Sequence, residues 1–88
     1  MQKIYLNDIP LGFKLMDDLI FVPFSSGVIT ILTDKLNTVR TITVPSPIHA
    51  FEGLYYEKQS SYKGFVVALE NRELRMYGPK GNTMINSI

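Results

Sequence analysis

The sequence predicts an all-β protein made of antiparallel four-stranded meanders, arranged as two successive blades of the WD40-like β-propeller type. Three observations lead to this prediction. Apolar residues do not recur at helical spacing over ten residues, and β-branched and aromatic residues dominate the apolar segments. Clusters of Gly, Pro, Asn, Asp and Ser separate these short segments. A four-strand pattern occurs twice in 88 residues, and four strands in every 40–50 residues or so are typical of propeller blades.

The strands are predicted in chain order. A leading strand at Lys3–Asn7 is assigned to residues 1–8, as an edge strand that completes a preceding blade. The first blade (9–46) and the second blade (47–88) then contribute four strands each: Leu11–Met16, Leu19–Phe24, Val28–Leu32, Thr38–Val44, and Ile48–Tyr56, Phe65–Leu69, Glu73–Tyr77, Thr83–Ile88. Short turns separate them, as in meandering antiparallel sheets.

The two blades align with one insertion, in the polar stretch before Gly64. The aligned pairs are Pro10 with Pro47, Ile31 with Tyr77, and Ile42 with Ile88. The second strand of each blade is apolar on both faces, as expected of strands covered on both sides by neighbouring blades. Pro23 removes a ladder donor from one of these strands, so we expect a bulge or the end of the strand there.

Composition excludes several classes of function. The formal net charge of +1 provides no strong field for nucleic acid or an anionic membrane. The chain has no cysteine and one histidine, so a thiolate or His-rich metal site is not expected, and no cofactor is predicted. No apolar run is long enough for membrane insertion. These features predict a soluble cytoplasmic protein.

Short matches to catalytic motifs lack the required context, so we predict that the protein is not an enzyme. Asp17 and Asp18 are predicted to lie in a solvated turn, and adjacent residues on a strand would point to opposite faces and could not share a substrate. The segment 25–27 does not have the spacing of a nucleophile elbow, and the loop 78–82 does not have that of a phosphate loop. Lys63-Gly64-Phe65 begins like an RNA-recognition signature, but the residues after it break the pattern.

The candidate partner-binding residues are Tyr55, Tyr56, Tyr62 and Lys63, which flank or end a long polar loop. Tyrosine is enriched at the hot spots of protein interfaces. Packing at a sheet edge is the simpler explanation of the same tyrosines, because isolated exposed aromatic residues are common. Both interpretations remain open at the level of sequence.

The segment Gly64–Tyr77, an apolar strand followed by Asn71-Arg72-Glu73-Leu74-Arg75-Met76-Tyr77, resembles the "N-G-E-V-R-I-Y" region of the Bardet–Biedl syndrome 1 family. The stretch from Pro10 to Lys35 is similar to that family's preceding blade, and Pro45–His49 falls at its blade junction. The resemblance covers roughly residues 9–88. Arg72 replaces the family's turn glycine, so we expect a different turn geometry there. The family's propeller is also far longer, which implies a two-blade piece or a reduced relative.

The resemblance implies a non-enzymatic protein-interaction scaffold. Its family provides a subunit of the BBSome, which moves membrane proteins into and out of cilia, and its propeller binds an Arf-like small GTPase in the GTP state. It therefore implies BBSome-like protein partners and a location that extends to the cilium or basal body. Two blades also leave open apolar faces, which we expect the rest of a longer chain, another subunit or further copies to cover.

The alternative is a self-contained small β-barrel, SH3-like or Sm-like, that binds peptide or RNA. It predicts five or six strands around one core, with the Lys3 strand paired near the C-terminus. The propeller-blade prediction requires two separate four-stranded meanders packed face to face.

Overall fold

The computed structural model describes residues 3–4, 6, 8–55, 62–81 and 84–88. These residues contain eight strands and no helix, and therefore no helix that could span a membrane. The strands are β1 (Lys14–Met16), β2 (Leu19–Pro23), β3 (Val28–Leu32), β4 (Thr38–Thr43), β5 (Ile48–Tyr55), β6 (Tyr62–Leu69), β7 (Leu74–Tyr77) and β8 (Met84–Ser87).

The strands form two separate antiparallel sheets with neighbours in sequence order. Blade 1 is the sheet β1-β2-β3-β4, and blade 2 is the sheet β5-β6-β7-β8. Among the described residues, no strand of one sheet pairs with a strand of the other. The predicted pair of four-stranded meanders is confirmed, and the closed-barrel alternative is wrong.

Two strand predictions differ from the structure at the N-terminal side. Lys3, Ile4 and Leu6 lie outside any strand, so the strand expected at Lys3–Asn7 is not found at its described residues. The first blade strand is shorter than predicted because only Pro10 makes a β-bridge before Lys14, with Phe24 as its partner. Whether residues 1–8 complete a preceding blade stays a prediction.

Pro23 is the last residue of β2, as the missing ladder donor led us to expect. Its carbonyl accepts a hydrogen bond from the backbone N–H of Leu11 at 2.9 Å. The proline therefore ends the regular strand while still holding the incoming chain against it.

Three hairpin turns share one geometry. In each, the carbonyl of the first turn residue accepts a hydrogen bond from the N–H three residues later, and the N–H of that first residue donates to the carbonyl four residues later. The positive-φ residues are Gly27 (φ 102°), Leu36 (φ 63°) and Arg72 (φ 75°). The prediction of another geometry at Arg72 is wrong, because the arginine adopts the left-handed conformation that glycine usually occupies.

The core lies between the two sheets. Phe21 of β2 is fully buried, and its ring centroid lies 5.4 Å from that of Phe65 in β6. Phe51 lies 6.1 Å from Phe21 and 5.0 Å from Phe65. Ring pairs of this kind add about 0.5–1.5 kcal/mol beyond the area that they bury. The two blades therefore share the larger hydrophobic cluster, and a smaller one of Val22, Phe24 and Leu32 belongs to blade 1 alone.

Strand pairing defines how the two blades correspond. Phe21 pairs with Ile31 in blade 1, and Val66 pairs with Met76 in blade 2. These positions are 45 residues apart, as are the positive-φ positions 27 and 72 of the turns that follow β2 and β6. Ile31 therefore corresponds to Met76, one residue from the Tyr77 predicted by sequence alignment.

Candidate interaction surfaces

Each blade has two faces, and alternation along the strands decides which residues each face presents. In the stack of two blades, blade 2 follows blade 1. We call the face of a blade that points in the direction of the following blade its trailing face, and the opposite face its leading face. The trailing face of blade 1 packs against the leading face of blade 2. The described residues contain no third sheet that covers the leading face of blade 1 or the trailing face of blade 2, and we call these two the open faces.

The leading face of blade 1 is an apolar groove of about 330 Å³. Residues of β2 and β3 form its floor, and the segment before β1 forms one wall. Phe13 in that wall is 66% exposed, whereas Val22 in the floor is buried. The lining residues are Ile4, Leu6, Pro10, Gly12, Phe13, Ile20, Val22, Leu32 and Leu36. An apolar groove of this kind is typical of a surface that contacts a partner.

The trailing face of blade 2 is a smaller apolar groove of about 130 Å³. Its floor is formed by Val66 and Met76, which lie on neighbouring strands and pair directly. Its rim includes Leu74, which is 41% exposed, and Ile88, which is 82% exposed. Both ends of the two-blade stack therefore expose apolar side chains.

Three of the four predicted partner-binding residues lie at one end of the β5–β6 hairpin. Tyr55 pairs with Tyr62 across the two strands, and their ring centroids lie 6.0 Å apart. Tyr55 is 48% exposed, and Lys63 is also exposed. Tyr56 and most of the predicted loop lie outside the described residues. The structure thus brings Tyr55, Tyr62 and Lys63 together at this edge.

Tyr62 also belongs to the core between the blades. Its ring packs edge-on against Phe21 at a centroid distance of 5.9 Å. Its hydroxyl donates a hydrogen bond to the carbonyl oxygen of Pro79 at 2.8 Å. Partial burial, together with the negative potential of Tyr55 and Asp17, raises the pKa of the Tyr62 hydroxyl above its ordinary value. Packing accounts for most of this tyrosine's surroundings, and Tyr55 is the more accessible of the two.

One ion pair joins β1 and β5, the first strands of the two blades, which we call the inner strands. Lys14 Nζ of β1 lies 3.1 Å from Glu52 Oε1 of β5. The hydrogen bond from Lys14, and one from the Gly53 backbone, lower the pKa of the Glu52 carboxyl. Both side chains are well exposed, so the pair adds little stability. Sequence patterns did not indicate this contact, because it depends on how the two sheets are placed.

The described residues contain no cluster of three or more His, Cys, Asp or Glu side chains that could hold a metal ion. Asp17 and Asp18 form the exposed turn between β1 and β2, with φ of 52° and 63°. Together with Asp34 they line an open groove at one end of blade 1. His49, the single histidine, is exposed on β5.

Comparison with known proteins agrees with the fold. No protein-family model and no curated protein sequence matches the chain. Solved structures do match, and two of them have a TM-score of 0.83, 24% sequence identity and 97% coverage of this chain. Both are crystal structures of BBS1N in complex with ARL6DN, one soaked with lead and the other with mercury. The present chain spans about a quarter of those chains (27%). It therefore has the fold of two consecutive β-propeller blades.

Proposed function

We propose that this chain is a non-enzymatic protein-interaction scaffold, working as part of a β-propeller with other protein subunits. The observation that carries the proposal is the pair of open apolar faces on a fold that matches BBS1N closely. Stacked blades hold loops and strand edges in fixed positions, and these form a surface that binds partners without any covalent chemistry.

The specific role that we propose is ciliary membrane-protein trafficking, with BBSome-like subunits and an Arf-like small GTPase as partners. Two observations support it. The matching propeller crystallised in complex with ARL6DN, and the sequence resembles the Bardet–Biedl syndrome 1 family over the same two blades. The corresponding location is the cytoplasm, at the cilium or basal body.

Within this proposal, the edge formed by Tyr55, Tyr62 and Lys63 is the candidate contact surface for a protein partner. Tyr55 provides an exposed aromatic ring, and Lys63 adds a positive charge beside it. A tyrosine buried on complex formation contributes large contact area at low entropic cost. Tyr56 is included in the proposal from its position in the sequence.

The test is binding of the 88-residue chain to ARL6DN loaded with GTP or with GDP, measured by biolayer interferometry. We expect binding in the GTP state and at least tenfold weaker binding in the GDP state. Tyr55→Ala should weaken binding severalfold, whereas Ser25→Ala, a matched change in an exposed turn of blade 1, should not. Equal absence of binding in both nucleotide states would refute the GTPase role and leave the propeller fold intact.

A further inference from the structure

The two open faces repeat the two faces that the chain already buries. The leading face of blade 1 corresponds, 45 residues on, to the leading face of blade 2: Ile20 to Phe65, Val22 to Val67, and Leu32 to Tyr77. The trailing face of blade 2 corresponds in the same way to that of blade 1: Val66 to Phe21, Leu74 to Ile29, and Met76 to Ile31. Within the chain, a trailing face packs on a leading face. Because one open face is a leading face and the other a trailing face, the two could pack together in the same way.

The inner strands carry a charge pattern that favours a second copy of this same chain as the partner. Lys14 pairs with Phe21, and Glu52 pairs with Val66, so Lys14 and Glu52 occupy corresponding positions in the two blades. They form an ion pair across the blade junction. If blade 1 of another copy follows blade 2 in the stack, Lys14 of that copy occupies this same position in the next blade and lies beside Glu52 of the first copy. The inner strands would then alternate positive and negative at every junction.

We infer that copies of this chain associate head to tail, the trailing face of blade 2 in one copy packing on the leading face of blade 1 in the next. Such a heterologous contact closes into a ring when the rotation between units permits. Propellers usually have four to eight blades, so two to four copies would close one, with a mass of about 20–40 kDa from a chain of 10.0 kDa. The inference rests on the two-blade fold and not on the GTPase role.

The first experiment measures the mass of the full chain in solution by sedimentation equilibrium, from about 1 to 100 µM, across the Kd range of moderate associations. Two variants block one face each: Phe13→Lys on the leading face and Leu74→Lys on the trailing face. Both residues are exposed in the single chain, so the fold should be kept, which circular dichroism would verify. Ser25→Lys places the same charge on an exposed turn as the control.

We expect the unaltered chain and Ser25→Lys to have two to four times the monomer mass, and each face variant to be monomeric. An equimolar mixture of the two face variants should form a one-to-one dimer, because one intact leading face and one intact trailing face remain. A like-with-like contact would instead leave one of the variants dimeric alone, and would overturn the head-to-tail arrangement.

Charge reversal tests the register. Glu52→Lys should weaken the association severalfold, most at low salt, and the double variant Lys14→Glu/Glu52→Lys should restore it. A monomeric unaltered chain at all concentrations would overturn the inference, whether or not that monomer binds the GTPase. GTPase binding without association would refute this inference alone, and association without GTPase binding would refute the proposed partner alone.

Discussion

The two blades have the same fold but different residues at corresponding turn positions. Comparing these positions shows which backbone conformations the fold requires, whatever residue occupies them. After β2 the positive-φ position is Gly27, and after β6 it is Arg72. After β3 it is Leu36, and after β7 the corresponding residue, Gly81, has φ 69°. Each blade thus has glycine at one of these turns and a side chain at the other. The positive φ persists in all four turns, so strand pairing dictates the conformation and the residue accommodates it.

Burial distinguishes the blades more strongly than conformation does. Ile31 and Met76 occupy corresponding positions, yet Ile31 is fully buried between the sheets whereas Met76 is only half-buried on the open trailing face. Blade 2 thus covers the trailing face of blade 1, whereas none of the described residues forms a sheet that covers the trailing face of blade 2. Most of the burial energy of the molecule is therefore at the single junction between them.

The largest effect should come from truncating the buried member of that pair. Ile31→Ala should lower the free energy of unfolding by about 4 kcal/mol, because it leaves a cavity in the shared core. Met76→Ala should cost about 1 kcal/mol in the isolated chain, since its side chain is partly in water. Urea denaturation of both variants measures the difference. Equal losses would mean that the trailing face of blade 2 is covered, and a loss for Met76→Ala that grows with protein concentration would identify the cover as another copy.

A second prediction concerns two glycines with positive φ in different surroundings. Gly64 has φ 149°, and a Cβ atom there would overlap the carbonyl oxygen of Tyr77 on the adjacent strand. Gly12 has φ 128° with nothing within 4 Å of its Cβ position. Gly64→Ala should destabilise the protein by about 3 kcal/mol, and Gly12→Ala by about 1 kcal/mol.

Thermal unfolding followed by circular dichroism measures both losses. The difference between them isolates the steric overlap from the conformational cost that both positions share. Losses of the same size would show that β6 and β7 separate enough to admit a methyl group, which would contradict the close backbone approach at Gly64.

A smaller effect of opposite sign is expected at the turn after β6. Arg72→Gly should stabilise the protein by about 1 kcal/mol, because it relieves the left-handed conformation of a residue with a side chain. Glu70→Gly, in the same turn but without a positive φ, should destabilise by up to about 1 kcal/mol through backbone entropy. Denaturation midpoints of the two variants should therefore move in opposite directions. A loss for Arg72→Gly would indicate that the arginine side chain stabilises the turn.

The smallest effect concerns the stability of the folded protein at alkaline pH. The raised pKa of Tyr62 means that the folded state holds its neutral hydroxyl, which donates to Pro79. The resulting stability is fully present below pH 10.0, the ordinary value of the hydroxyl, and is lost as pH rises further. An ultraviolet titration should show one tyrosine ionising later than the others, and Tyr62→Phe should remove that late component. A titration that Tyr62→Phe leaves unchanged would contradict the assignment.

The sequence predicted the meander topology because alternation and turn residues are local signals. Pro23 ended β2 as predicted, since a missing N–H has the same consequence in any sheet. The turn geometry at Arg72 was predicted wrongly, because the preference of positive-φ positions for glycine was treated as a strict requirement. The offset between Ile31 and Met76 was missed by one residue, and such a slip exchanges the two faces of a strand. The open faces could be foreseen only in general terms from the two-blade pattern.

The candidate site was less accessible to sequence reasoning. Tyr55 and Tyr62 were selected as neighbours of a loop, but their pairing follows from a register shift between Leu54 and Tyr55 that no local pattern indicates. The contact of Tyr62 with Phe21 joins residues of different blades. Lys14 and Glu52 gave no signal at all, because single charges on strands are usually solvated. Each of these contacts depends on how one sheet lies on the other.

The short connection between β4 and β5 forms hydrogen bonds through its last two residues, Ser46 and Pro47. The Ser46 hydroxyl oxygen accepts a hydrogen bond from the Asn71 N–H at 3.1 Å, and the Pro47 carbonyl accepts one from the Glu70 N–H at 2.9 Å. Both bonds hold the end of the connection to the turn between β6 and β7 of blade 2, and the Val44 N–H holds its start to blade 1 by donating to the Gly27 carbonyl at 2.8 Å. Pro45 therefore lies between two anchored ends, and because its ring restricts φ, the connection allows little change in the angle between the two sheets.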